Sequence, residues 1–163
     1  MRKVLGCLFG CLVATSAQAT WTYTTWSMNA DQAKAASKGQ LVAMSPAEAR
    51  DRSFEGAPCS LTQTYAAGDL SLRADLCFAT TTGRLAKVAV EPVAQSVQAC
   101  AQVIATLRNR YGGDAVPSHT GATVDFTWRD APGQTSVLYY ATRDGATCHI
   151  VYSPLATGSE MGL

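Results

Sequence analysis

The sequence predicts an α+β fold: an antiparallel sheet of two three-stranded meanders flanking one long helix, with short N-terminal helices and the helices packed on one sheet face. Three observations carry this expectation. Residues 93–111 repeat apolar side chains at helical spacing, and residues 59–90 and 122–152 alternate with a period of two. The alternating runs are joined by short turns rich in Gly, Asp and Pro, which pair neighbouring strands antiparallel. The chain has 163 residues, 47% of them hydrophobic, which is one domain's worth of core-forming protein. Lys+Arg (13) nearly balances Asp+Glu (12), so no charge excess marks a nucleic-acid or anionic-membrane partner.

Trp21 to Thr24 alternates like a strand and leads to Trp26 and Met28. Asn29 and Gln32 then form a capping box for an alanine-rich helix stopped by Gly39. Ser45 and Glu48 form a second box, with Pro46 at the first helical position, for a short helix to about Arg52. Strands are predicted at 59–66, 70–79 and 85–90, with turns at Ala67–Asp69 and Thr80–Arg84. In the middle strand Leu70, Leu72, Ala74, Leu76 and Phe78 share one face, and Ser71, Arg73, Asp75 and Cys77 the other. After Pro92 the helix 93–111 places Val97, Cys100, Ile104, Leu107 and Tyr111 on one stripe beside Val103, and Gly112-Gly113 ends it. Strands at 122–129, 135–142 and 146–152 follow, with turns at Asp130–Gln134 and Arg143–Gly145.

The organisation is a leader, one domain and a tail. Arg2-Lys3 is a basic start, Val4 to Val13 is uncharged and apolar, and Ala17-Gln18-Ala19 is a small-x-small cleavage site. The apolar run is about half of the ~20 residues that a spanning helix needs. Residues 1–19 therefore read as a Sec-type signal peptide, 20–154 as a single α+β domain, and 155–163 as a flexible tail; the expected location is the periplasm or outside the cell. Leu8-Phe9-Gly10-Cys11 superficially resembles a lipobox, which would lipidate Cys11, but Phe9 is atypical there.

Cys59, Cys77, Cys100 and Cys148 remain after the leader, an even number that suits two disulfides in an oxidising compartment. The spacings contain no CxxC, CxH or HxxxH ligand pair, so no metal is expected. Four cysteines allow three connectivities. A three-residue turn at Ala67–Asp69 sets Cys59 across from Cys77, whereas a turn of two or four residues breaks that register. The remaining pair joins Cys100, on the helix stripe, to Cys148, which shares a strand face with Ile150 and Tyr152.

Chemistry is sparse. There is no GxSxG, HExxH, SxxK, Walker A or GxGxxG motif, and no cofactor or catalytic residue is assigned. The two histidines are His119, in a Pro117–Gly121 loop, and His149, on the strand face opposite Cys148 and Ile150. Asp125 is expected to point outward near Arg143. Aromatics are the other source of function: Trp21, Tyr23 and Trp26 cluster early, and Tyr139 and Tyr140 occupy both faces of one strand. Trp21, Tyr23, His119 and Tyr139 are the candidate partner contacts.

Several of these elements recur together: Trp26-Ser-Met28 with Ala33; Cys100, Leu107 and Tyr111-Gly112; Thr127-Trp128; and Cys148-His-Ile150-Val-Tyr152-Ser-Pro154. In this the chain resembles a class of small exported proteobacterial proteins and, at the level of fold, small helix-plus-sheet envelope modules such as outer-membrane assembly lipoproteins and β-lactamase inhibitor repeats. The resemblance implies protein binding across a sheet face or loops, without chemistry. The connectivity here, with a long helix between two meanders, departs from those modules, so no partner carries over.

The expected function is a non-enzymatic exported protein that binds another envelope protein or a peptide through its open sheet face. A second reading is an inhibitor of a secreted hydrolase of lysozyme type, presenting residues 114–121 as a projecting loop. A third is a small hydrolase using His119 or His149 with acids converging from separate strands, which needs a carboxylate within hydrogen-bond reach.

Overall fold

The alternating segments build one antiparallel sheet in a computed structural model, which describes residues 21–113 and 115–155, with backbone alone for 116–120. The leader and the Cys11 alternative lie outside the described residues, as does most of the expected tail. The helices are α1 (Ala30–Ala36), α2 (Pro46–Asp51) and α3 (Val97–Tyr111). The strands are β1 (Val42–Ala43), β2 (Ser53–Phe54), β3 (Ala57–Ala67), β4 (Leu70–Phe78), β5 (Leu85–Pro92), β6 (Val116–Thr120), β7 (Thr123–Asp130), β8 (Thr135–Thr142) and β9 (Cys148–Pro154). Spatial order is β1-β3-β4-β5-β9-β8-β7-β6, with β2 paired to β3 off that path. The meander β3–β5 thus meets a four-stranded meander β6–β9 along a β5–β9 seam, and α3 carries the chain from one to the other. Among the described residues no helix is long and apolar enough to cross a membrane.

Local signals account for most of the elements. Both predicted capping boxes form, at Asn29/Gln32 and Ser45/Glu48. The sheet is covered on one side by α1, α3 and the N-terminal aromatics. There Leu61, Leu72, Leu76, Val88, Val90, Val137 and Ile150 form the main core with Cys100, Val103 and Leu107 of α3. α3 begins at an Ser96 cap, later than expected, because Pro92 to Gln95 must turn off the sheet before the helix can start. Val97 consequently faces solvent rather than joining the stripe. Gly112 ends α3 with φ 95°, a conformation costly to any side chain, and the Trp128 indole N–H donates to the Gly112 carbonyl (2.9 Å).

Five further expectations are corrected. Residues 21–28 form turns rather than a strand. Residues 116–120, read as loop, are the edge strand β6, hydrogen-bonded to β7 from Val116↔Thr127 to Thr120↔Thr123; their Pro, Ser and His composition hid a strand that pairs on one side only. The last strand, expected at 146–152, runs from Cys148 through Ser153 to Pro154 as β9, and Leu155 N–H donates to Gln134 O (2.9 Å). Not all helices share one face: Ala49 of α2 packs in a second cluster with Met44, Phe54, Cys59 and Cys77, on the opposite side of the sheet.

The last correction concerns the first hairpin. Its loop holds two residues, since Ala67 pairs with Leu70, and Gly68 takes φ 60° as the glycine-first pattern of such loops requires. That register alone would offset the cysteines. A bulge between Cys59 and Leu61 absorbs one residue and restores Cys59↔Cys77. Both disulfides are present, Cys59–Cys77 and Cys100–Cys148, and they place the chain in an oxidising compartment.

Candidate functional site

Two places gather chemically capable side chains. The first is a transverse row on the sheet face opposite α3. Strand register lines up Arg73 with Glu91, His149 with Tyr140, and Tyr140 with Asp125. Asp125 therefore neighbours Tyr140 rather than Arg143. The β5–β9 seam closes the row, with His149 Nδ1 3.0 Å from Glu91 Oε2. Arg52, at the end of α2, reaches in and donates from one nitrogen to Glu91 Oε1 (2.7 Å) and Asp75 Oδ2 (3.0 Å). The other Asp75 oxygen accepts from Thr62 Oγ1 (2.6 Å) and Arg73 Nε (2.8 Å), so a fully buried carboxylate is satisfied on both sides. Hydrogen bonds from His149 and Arg52 hold the Glu91 carboxyl down at about 2. Tyr140 stacks on the His149 ring, centroids 5.0 Å apart.

The second place is a cavity of about 380 Å³ between the N-terminal aromatics, the C-terminal end of α3 and the β3, β7, β8 and β9 strands. Trp21, Trp26, Tyr65, Tyr111 and Tyr152 give it aromatic walls, and Arg110 and Asp130 give it one charge of each sign. Each ring is anchored. Trp21 meets Tyr65 edge-on, centroids 5.8 Å apart, and Trp26 Nε1 donates to Thr135 Oγ1 (3.3 Å). The Arg110 guanidinium lies 5.2 Å from the centre of the Tyr111 ring. Burial pushes the Tyr65 phenol up to about 12 and raises Tyr111 and Tyr152 as well, so all three remain neutral hydroxyls at physiological pH. A more open depression of about 450 Å³ beside the start of α3 is lined mainly by small and amide side chains, with Asp69 its one charged group.

The structure divides the residues singled out in the sequence. Trp21 is in the cavity wall, while Tyr23 lies beside it and donates its hydroxyl to Gln63 Oε1. Tyr139 is buried, its hydroxyl directed at Cys100 O (3.4 Å), so the outward member of the pair is Tyr140. The backbone of His119 is in β6; its side chain lies outside what is described. Tyr65, Arg110, Tyr111, Asp130 and Tyr152 were not recognised as a group. They come from four elements, and only the placement of β9 in mid-sheet beside β5 brings them together. One partial signal was available: Tyr152 shares strand parity with Cys148, and Tyr111 lies on the helix stripe that Cys100 opens.

Among the described residues no cluster of three or more His, Cys, Asp or Glu side chains is arranged to hold a metal ion. No family model, curated protein or solved structure matches this chain.

Proposed function

We propose that the chain is an exported, non-enzymatic binding protein of the periplasm or extracellular space, and that it takes its ligand in the aromatic cavity. The leader reading of residues 1–19 and the resemblance to small exported proteobacterial proteins belong to this proposal, and the oxidising environment implied by both disulfides supports them. The observation that carries the binding reading is the cavity: anchored rings with an Arg and an Asp in the wall are the mixture of apolar surface and few polar groups that small-ligand sites use. The open face is the weaker docking surface for an envelope protein or peptide. Arg52, Asp75, Glu91 and His149 there already pair with one another, and a partner would have to displace those contacts. The inhibitor reading loses its projecting loop, because residues 116–120 are committed to the sheet.

One observation favours the hydrolase reading instead. A carboxylate 3.0 Å from His149 Nδ1 is how a general base is oriented. Against it, Tyr140 covers one face of the imidazole. Native mass spectrometry on protein isolated from the exporting cell, alongside a hydrolase panel, separates the two. We expect a small-molecule adduct that survives His149→Ala and disappears in Trp26→Ala. Turnover of any panel substrate that is abolished by His149→Ala would replace binding with catalysis.

A further inference from the structure

We propose that the ligand of the aromatic cavity is a neutral saturated sugar, one or two pyranose rings in size; this rests on the binding reading above and gives it a chemical class. Size sets the first limit. About 380 Å³ is near the small end of the roughly 300–1,000 Å³ typical of ligand pockets, too little for a folded peptide segment. The wall sets the second. A hydrocarbon chain would satisfy the rings but strip water from Arg110 and Asp130 and return nothing to them. A bare quaternary ammonium ion suits an aromatic cage but meets the Arg110 guanidinium, and a simple anion meets Asp130.

A pyranose ring meets each demand. Its C–H face lies flat on an indole or phenol ring, and its hydroxyls, around the rim, both donate and accept. Asp130 accepts such bonds, Arg110 donates them in pairs, and the three protonated phenols do either. Among the described residues no ion pair joins Arg110 to Asp130: Arg110 rests on the Tyr111 ring and hydrogen-bonds its hydroxyl, and Asp130 Oδ1 accepts the Gly133 N–H (3.1 Å). One charge of each sign leaves the wall neutral overall, which matches an uncharged polyol. The rings are also held in place before a ligand arrives, by the Trp26–Thr135 bond and the Trp21–Tyr65 contact.

The test follows indole N–H signals by NMR in the disulfide-intact chain. It is titrated separately with cellobiose, maltose, the N-acetylglucosamine disaccharide, glycine betaine and decanoate. We expect saturable movement of the Trp26 signal with at least one disaccharide and with neither betaine nor decanoate. Affinity should fall at least tenfold in Arg110→Ala and in Asp130→Asn, two surface variants that leave the core intact, with Tyr140→Phe on the opposite face as an unchanged control. Saturation by betaine or decanoate alone would overturn the sugar assignment while leaving a binding cavity. Sugar binding that ignores both wall variants would move the site elsewhere, and silence from all five probes would overturn the cavity reading itself.

Discussion

Gln95 shows how one side chain completes a backbone ladder. Val88↔Tyr152 and Val90↔Ile150 pair β5 with β9, and continuing that register brings Pro92 opposite Cys148. Proline has no N–H to give, and the chain leaves the sheet there. The Gln95 amide takes over: its Oε1 accepts the Cys148 N–H (3.0 Å) and its Nε2 donates to the Cys148 carbonyl (3.1 Å). Because Cys148 is fully buried, Gln95→Leu strands two main-chain groups without water. It should cost about 2 kcal/mol in a urea titration, against under 0.5 kcal/mol for an exposed control such as Gln98→Leu. Nothing in the sequence distinguishes Gln95 from other polar residues between a strand and a helix; its role depends on which strand arrives beside β5. Tyr139 and Tyr140 teach the same lesson from the other side. Alternation shows that they oppose each other, but which one is buried follows from Cys148 and Ile150 defining the helix-covered face.

At the scale of elements, α2 is fastened to the sheet by charge as well as by packing. It presents one partly buried alanine to the second apolar cluster, and Arg52, just beyond its end, is bonded to Glu91 and Asp75. Glu91 titrates at about 2 in the fold against an ordinary value of 4.5, so its contribution is fully present above pH 4.5 and drains away as pH falls toward 2. The His149 hydrogen bond is the largest cause of that depression, and the hydrogen bond and charge of Arg52 add to it. The urea midpoint of the wild type should therefore drop more steeply between pH 4.5 and 2 than that of Glu91→Gln, which has no carboxyl to protonate. Parallel slopes would remove Glu91 from the latch. The capping boxes of α1 and α2, the faces of β4 and the stripe of α3 were legible because each rests on neighbours close in sequence. β1 and β2 were not, since two-residue strands carry no periodicity, and β6 was not, since an edge strand tolerates proline.

Across the whole molecule the two disulfides join different things: Cys59–Cys77 reinforces a hairpin already paired along its length, whereas Cys100–Cys148 ties a helix to a strand with which it shares no ladder. Cys59–Cys77 spans 18 residues within one hairpin, while Cys100–Cys148 spans 48 and clamps α3 to the seam strand. Chain entropy assigns them about 3 and about 4 kcal/mol. Cys100→Ala/Cys148→Ala should accordingly be the less stable of the two double mutants by roughly 1 kcal/mol in guanidinium unfolding. The cysteine pairing was legible from the sequence although the assumed turn was wrong, because a bulge offset the shorter loop. Global strand order was not legible, since no local pattern says that β9 inserts between β5 and β8. That insertion governs how the chain is completed. Until Cys148–Pro154 has emerged, β5 and β8 each present a bare edge on the line where the halves will meet. Assembly is therefore gated by the final strand of the sheet: the two blocks can preform, but the zip that unites them closes only once β9 is in place, and a chain in which it is not offers two sticky margins to whatever lies nearby.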